Sequence, residues 1–173
     1  ELLPKMPVGT LSGQETTAEI YLSSTVYTPG QYIPAGKISL PRNIKISAKI
    51  KPEERHIGKA GRLLFLIKYD DIWHMIDRTG KVEIYEGREI LYYDLVNLER
   101  EISLTLLNID LSENYSGIYE ILTGYEVDGE IIYNIGPSAM ELISPWSVDR
   151  RTTWLGSDLE SRNPFCSKSS IRW

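Results

Sequence analysis

Residues 117–134, "GIYEILTGYEVDGEIIYN", constrain the fold more than any other stretch of the chain. Two strand-like runs flank Asp128-Gly129, which is the strongest short-range hairpin signal because a type I′ turn needs a positive φ at both central residues. A calcium loop would need several more oxygen ligands at alternate positions and a distal bidentate glutamate. Apolar residues fill those places, so the sequence predicts a hairpin turn rather than a metal site.

Short strands recur through the middle of the chain. The run "NIKISAKI" (43–50) alternates between apolar and polar residues, as a half-buried strand requires. Further strands are predicted in "RLLFLIKY", "DIWHMI", "VEIYEG", "EISLTLLNIDL" and "SAMELI", with turns at Asp70-Asp71 and Gly80 and an irregular crossover at 87–99. Without a convincing amphipathic helix, this pattern predicts an all-β fold: an antiparallel β-sandwich of the immunoglobulin or fibronectin kind.

The two ends of the chain differ in character from this centre. A length of 173 residues suits one domain with extensions. Residues 1–36 are rich in Pro, Gly, Ser and Thr and predict an extended N-terminal arm, with "AEIYLSSTVY" as its one candidate strand. Residues 37–143 are the predicted sandwich domain, and residues 144–173 lack periodicity and predict an irregular C-terminal tail.

The C-terminal tail combines aromatic and basic residues. It contains three of the four Trp residues, and it carries five basic against three acidic side chains, which leaves −7 for the rest of a chain with net charge −5. Trp and Arg are enriched at interaction hot spots, whereas disordered segments are poor in aromatic residues. Two interpretations stay open: the tail fills grooves on its own domain, or it docks onto another chain.

Composition argues against several classes of function. The net negative charge disfavours a general nucleic-acid-binding protein, which needs a basic face. One cysteine rules out an internal disulfide and cysteine-based zinc clusters, and two histidines are too few for a typical histidine metal site, so no cofactor is expected. No run approaches the ~20 apolar residues of a membrane span. The chain starts at Glu1 without a signal-peptide pattern, which we interpret as a processed or trimmed start.

Turn and core residues of the centre follow a recognisable order. Gly58, Ala60 and Gly61 precede an apolar strand, Trp73 and Met75 lie in the next, Gly80 and Tyr85 follow, and "GIYEILTGYEVDGEIIYN" closes the series. In this order residues 38–143 resemble an immunoglobulin-like β-sandwich module of bacterial secreted and cell-surface proteins, although that family has a second Trp in place of Tyr85. The resemblance implies an extracellular, non-catalytic module, and it carries over neither a ligand nor a catalytic residue.

Few residues offer chemistry for a reaction. Cys166 with His56 or His74 would be a nucleophile–base pair, but "NPFCSK" has no elbow context, and a buried thiol or an interchain disulfide is the simpler interpretation. Asp70 and Asp71 are paired carboxylates, as in glycosidases, yet adjacent strand residues point to opposite faces. We therefore expect no enzyme, with a cysteine hydrolase kept as an alternative.

The leading interpretation is a structural or assembly module of an extracellular or cell-surface bacterial complex. Its partners would be other protein subunits in a homo-oligomer, filament or appendage, contacted through the two chain ends. An extended arm can add a strand to an exposed sheet edge. The candidate partner-binding residues are Tyr21, Tyr27, Trp146, Arg150, Arg151, Trp154, Phe165 and Trp173.

A carbohydrate-binding or adhesin module is the alternative interpretation. Tyr92 and Tyr93 lie in the irregular crossover and are the candidate ligand-binding residues for a glycan. This alternative predicts a strip of solvent-facing aromatic rings on one sheet.

Overall fold

The computed structural model describes residues 3–144, apart from residues 35, 88 and 137, and this part of the chain is all-β. Its strands are β1 (Lys5–Met6), β2 (Val8–Thr10), β3 (Glu19–Thr28), β4 (Gln31–Pro34), β5 (Lys37–Ser39), β6 (Arg42–Lys51), β7 (Ala60–Tyr69), β8 (Ile72–Ile76), β9 (Val82–Ile84), β10 (Asp94–Asn97), β11 (Ile102–Leu111), β12 (Gly117–Val127), β13 (Glu130–Asn134) and β14 (Ser138–Ile143). The helices among the described residues are two 3-10 turns, Glu54–His56 and Glu113–Tyr115, and neither is long enough to cross a membrane.

The strands form two sheets that pack face to face as a β-sandwich. The smaller sheet A has the order β1–β3–β6–β11, with β4 also paired to β3. The larger sheet B has the order β2–β13–β12–β7–β8–β9, with β10 beside β7, β14 beside β12, and β5 beside β14. The β5–β14 pair is parallel and the main pairings of both sheets are antiparallel. The predicted all-β, antiparallel fold is confirmed.

The core lies between the two sheets. The four apolar residues of β6 that the alternation placed on one face, Ile44, Ile46, Ala48 and Ile50, are each at most 1% exposed. Sheet B contributes the buried residues Leu63, Phe65, Ile121, Tyr125, Val127 and Ile132. Burying one large aliphatic or aromatic side chain stabilises a fold by about 1.5–3 kcal/mol. This shared apolar layer is therefore what holds the two sheets together.

A β-bulge keeps the apolar side chains of β11 directed at the core. The pairing register with β6 shifts between Thr105 and Leu107, so Leu106 is an inserted residue. Before the shift, even-numbered apolar residues face the core. After it, the odd-numbered Leu107 and Ile109 do so, because they pair opposite buried isoleucines of β6.

Residues 5–34 contribute strands to the sandwich rather than forming a separate arm. β3 pairs with β6 over most of its length, and Ile20 and Leu22 are at most 1% exposed in the core. β1 pairs with β3 in sheet A, and β2 pairs with β13 in sheet B. These pairings join residues 5–34 to the same two sheets as later strands, across the boundary predicted at residue 36. The Ser and Thr content that suggested an extended arm also suits a strand, since Thr is β-branched.

Two tight turns have the geometry that their sequences predict. Asp128 and Gly129 have φ values of 53° and 80°, as a type I′ turn between β12 and β13 requires. Asp70 and Asp71, with φ values of 50° and 63°, connect β7 to β8 in the same way. The interpretation of both sites as hairpin turns is confirmed.

Candidate functional site

Strands β8 and β9 extend beyond the edge of sheet A. The ring of Tyr93 packs edge-on against Phe65 of β7, with centroids 6.0 Å apart, and its hydroxyl donates to the carbonyl oxygen of Thr105 in β11 at 3.1 Å. Tyr93 leads into β10, which pairs with the same edge of β7 as β8 does, so these contacts place the middle of β11 over that edge of sheet B. We call β8 and β9, the strands beyond this edge of β7, the overhang, because several side chains on their inner face are not covered by sheet A.

The overhang presents mostly apolar side chains on the side that faces sheet A. Directly paired residues of neighbouring strands share a face of the sheet. Ile67, which packs against the core, pairs with His74, and His74 pairs with Ile84. The overhang face defined in this way consists of Ile72, His74, Ile76, Val82 and Ile84.

Much of this overhang face is open to solvent. Ile72, Val82 and Ile84 are 43%, 49% and 55% exposed. Ile109, on the core-facing row of β11, is likewise 40% exposed. Contiguous exposed apolar surface on a folded domain indicates an interaction site. The overhang face is therefore the strongest candidate binding surface among the described residues.

The charges around the overhang differ between its two ends. Arg78 pairs with Asp94 at 2.9 Å, so the end near the β8–β9 turn is balanced. At the other end, Asp70 and Asp110 have no ion pair among the described residues, and Asp110 accepts only from the neutral Asn43 amide at 3.1 Å.

The opposite face of β8 is covered by the chain itself. Met75 and the half-buried Trp73 lie on the outer face of sheet B, where Leu64 and Leu66 of β7 join Met75 in a second apolar cluster. The crossover between β9 and β10 lies over this cluster through Ile90, Leu91 and Tyr92. The Leu91 N–H donates to Met75 Sδ at 3.1 Å. The irregular crossover predicted at 87–99 thus acts as a lid on one face, although its last part forms β10.

The crossover separates the two tyrosines that were candidates for a sugar platform. Tyr92 is half-buried on the outer face, where its hydroxyl donates to Glu126 and the Arg62 guanidinium lies 4.8 Å from its ring centroid. Burial, and then the bond to Glu126, raise the pKa of Tyr92. Tyr93 is 9% exposed and spans the core. The pair therefore does not form a joint exposed platform.

A buried polar cluster closes one end of the core. The Tyr125 hydroxyl accepts from the Glu53 N–H at 3.2 Å and lies 3.0 Å from His56 Nδ1. Arg55 binds both carboxylates of the cluster, at 2.5 Å for Glu53 and 3.1 Å for Glu130. His56 is 3% exposed and Tyr125 fully buried. The cluster ties the 3-10 turn after β6 to the hairpin of β12 and β13.

The ionisation of this cluster favours a structural role. Burial lowers the pKa of His56 and raises the pKa of Tyr125 to about 12, so both groups are neutral near pH 7. Nδ1 of the neutral His56 ring shares a hydrogen bond with the Tyr125 hydroxyl, and Nε2 lies 3.8 Å from the Glu130 carboxylate. Because these groups are so deeply buried, a substrate cannot reach them without rearrangement.

The other sequence candidates lie apart from the overhang. Tyr21 is on the outer face of sheet A, where its hydroxyl donates to Glu19 at 2.7 Å and the Lys51 ammonium lies 5.4 Å from its ring centroid. Tyr27 is 46% exposed near the end of β3, and its hydroxyl accepts from the Gly30 N–H. The remaining candidates lie outside the described residues: Trp146, Arg150, Arg151, Trp154, Phe165, Cys166 and Trp173.

Sequence reasoning missed both the overhang and the buried cluster. The run "VEIYEG" predicts an ordinary strand, and nothing in its sequence shows that the opposite sheet leaves its inner face uncovered. His56 lies in a segment with Pro and Gly between two predicted strands, and such a segment gives no sign that its side chains are buried. Its position three residues after Glu53 and four after Pro52 was the available signal for a compact turn.

No protein-family model matches the chain, and no curated protein matches its sequence. Within residues 3–144, no group of three or more His, Cys, Asp or Glu side chains is arranged to hold a metal ion.

Proposed function

We propose that this protein is a non-catalytic assembly module that binds neighbouring protein subunits, further copies of itself included, in an extracellular bacterial complex. The observation that carries the proposal is the exposed overhang face beside the last strand of sheet A. The extracellular setting rests on the resemblance of residues 38–143 to a secreted-protein module. A β-sandwich with its titratable cluster sealed in the core suits a binding role better than catalysis.

The exposure of the overhang face supports a binding role for it over a purely structural one. An isolated exposed isoleucine needs no explanation, since more than half of a typical protein surface is apolar. Here three aliphatic residues of one face, Ile72, Val82 and Ile84, are exposed together, and Ile109 on the core-facing row of β11 is exposed as well. Desolvating such a patch contributes about 25 cal/mol per Å² of apolar area.

Light scattering of the full chain from about 10 µM to 1 mM tests the proposal, since weak assembly contacts have dissociation constants in this range. We expect the mean mass to rise with concentration, and the Ile84→Lys variant to abolish the rise by placing a charge in the contact. Ile118→Lys is the matched control, because Ile118 is 63% exposed on the outer face of sheet B. Deleting residues 145–173 measures the contribution of the tail candidates.

Two outcomes would contradict the proposal. One is a full chain that stays monomeric over the whole concentration range. The other is equal association of the Ile84→Lys and Ile118→Lys variants while both keep the native circular dichroism spectrum.

A glycan-binding module is the second candidate, and one observation favours it. Tyr69 is 40% exposed and stacks on Tyr119, with ring centroids 4.7 Å apart. An open recess of about 380 Å³ adjoins it, lined by Lys68, Tyr69, Asp70, Asp71, Gly117, Ile118 and Glu120. Aromatic faces beside carboxylates suit sugar rings and hydroxyls. A glycan array on which Tyr69→Ala and the unmodified chain give the same signals would remove this candidate.

A further inference from the structure

We propose that the free edge of β11 accepts a single extended segment of another protein chain as an added strand, and that the apolar side chains of this segment cover the overhang face. The inference rests on the proposed function and specifies the form of the partner. Strand addition combines main-chain hydrogen bonds with side-chain pockets on alternate residues.

The edge of β11 is available over its second half. Among the described residues β11 pairs with β6 alone, so its other edge has no strand partner. Tyr93 bonds the Thr105 carbonyl oxygen, which obstructs the region of the bulge. Residues 107–111 are left, and at ~3.4 Å per residue they offer a length of roughly 17 Å.

The surroundings of this edge dictate an alternating segment. An added strand places successive side chains on opposite faces of the extended sheet A. Side chains on the inner face would meet Ile72, Val82 and Ile84, whereas those on the outer face would continue the polar row of Asn108 and Asp110. The partner segment is therefore expected to alternate apolar and polar residues over about five positions.

The overhang leaves room for a strand but not for a second sandwich edge to edge. Neighbouring strands lie ~4.8 Å apart, so the two strands of the overhang are wide enough to face one or two strands added beside β11. If β11 of a second copy paired symmetrically with this β11, the β8 and β9 strands of both copies would project into the same layer and collide. The occupant is thus one extended segment without a second layer behind it.

Charge specifies one further property of the segment. Asp110 lies on the outer face of β11, and Asp70 lies at the same end of the sandwich, both without an ion pair in the described part of the chain. A Lys or Arg at an outward-facing position of the segment would form an ion pair with the Asp110 carboxylate. Exposed pairs of this kind contribute roughly 0.2–1 kcal/mol, so the basic residue sets orientation more than affinity.

A fused strand tests the inference on the full chain. A segment that alternates Val and Thr, with Lys at one outward position, is joined after Trp173 through a Gly/Ser linker of about 25 residues. The linker gives an effective concentration near mM, so even weak strand addition is detected in dilute monomer. The matched control fusion has the same composition with its Val residues grouped so that they do not alternate.

We expect the alternating fusion to raise Tm by about 4 °C or more relative to the grouped fusion. For those amides of residues 107–111 that do not bond to β6, we also expect hydrogen exchange to slow by at least about tenfold, the factor that 1.4 kcal/mol of protection gives. Ile84→Lys in the fusion should remove both effects, and Ile118→Lys should keep them.

Equal Tm values for the two fusions, or a gain that survives Ile84→Lys, would overturn the inference. So would slow exchange, already in the unfused monomer, of those amides of residues 107–111 that do not bond to β6, because the chain itself would then fill the edge. The readout is independent of natural assembly. Failure of the fusion therefore refutes the strand mode alone, while failure of the unfused chain to associate refutes the proposed function.

Discussion

Strand β8 carries apolar side chains on both of its faces, and the chain treats the two faces differently. On the outer face, Met75 is 2% exposed because the crossover after β9 lies over it. On the inner face, Ile72 and its neighbours in β9 are left open where sheet A ends. The crossover covers the outer apolar face of β8, whereas no segment among the described residues covers the overhang face in the same way. Apolar surface left open in this way is better explained by binding than by incomplete packing.

The largest expected contrast comes from truncating one residue on each face. Met75→Ala should lower the free energy of unfolding by about 2–5 kcal/mol, because it leaves a cavity in a covered cluster. Ile84→Ala should change it by no more than about 0.5 kcal/mol, as for other exposed positions. Urea unfolding of both variants measures the two values. Equal losses would mean that the overhang face is buried in solution.

Truncating a crossover residue that lies over Met75 should have an intermediate effect on the free energy of unfolding. Leu91→Ala is expected to cost about 1–3 kcal/mol, since Leu91 is half-buried against Met75. Leu95→Ala is the matched control at a site that is 72% exposed, and should be nearly neutral. Binding of a hydrophobic dye should increase only for Leu91→Ala. An unchanged stability would show that the crossover does not act as a lid.

The contribution of the buried polar cluster to stability can be tested by varying the pH, because the cluster contains His56. Burial lowers the pKa of His56 in the folded protein, so the unfolded chain binds more protons near the ordinary histidine pKa. Stability should therefore be fully present above about pH 7 and decrease as the pH falls through the unfolded histidine value near 6.5. Denaturation midpoints between pH 8 and pH 5.5 measure this slope.

His56→Gln should flatten the slope over that range, because the titrating group is gone. A slope that is unchanged in His56→Gln would assign the pH dependence to other groups. The overhang variants Ile84→Ala and Val82→Ala should keep the slope, since neither touches the cluster.

The smallest expected loss of stability comes from Tyr92, which packs against the apolar cluster on the outer face of sheet B. Tyr92→Phe removes a hydroxyl that donates to Glu126 but keeps the ring under Arg62. The expected loss is about 0.5–1.5 kcal/mol, the net value of one hydrogen bond. A loss above about 3 kcal/mol would indicate that Glu126 becomes an unpaired buried charge, and that the cover is tighter than its partial exposure suggests.

The local elements of this fold were predictable from sequence because their signals are local. Asp128-Gly129 determines a turn by its φ requirement, and the alternation of β6 determines which of its residues are buried. The bulge at Leu106 was not predictable from sequence. The core-facing residues of β11 switch there from even to odd positions, and the sequence is apolar both before and after the switch. β3 was recognised as a strand but assigned to an arm, since strand pairing over long sequence separations leaves no local mark.

The candidate site was hardly predictable at all. Whether Ile84 is buried depends on where the opposite sheet ends, and that is set by the number of strands that pair elsewhere in the chain. Tyr92 and Tyr93 are adjacent in sequence, yet one lies on the outer face and the other spans the core. Their separation follows from the path of the crossover, which composition does not encode.

The unequal widths of the two sheets also bear on the symmetry of any assembly. In the strand addition that we propose, a two-fold axis beside β11 would bring the β8 and β9 strands of both molecules into the same layer, which disfavours an isologous dimer through this edge. The proposed contact is then heterologous, with one molecule donating the strand and the next receiving it. Contacts of that type close into rings or continue as polar fibres with distinct ends.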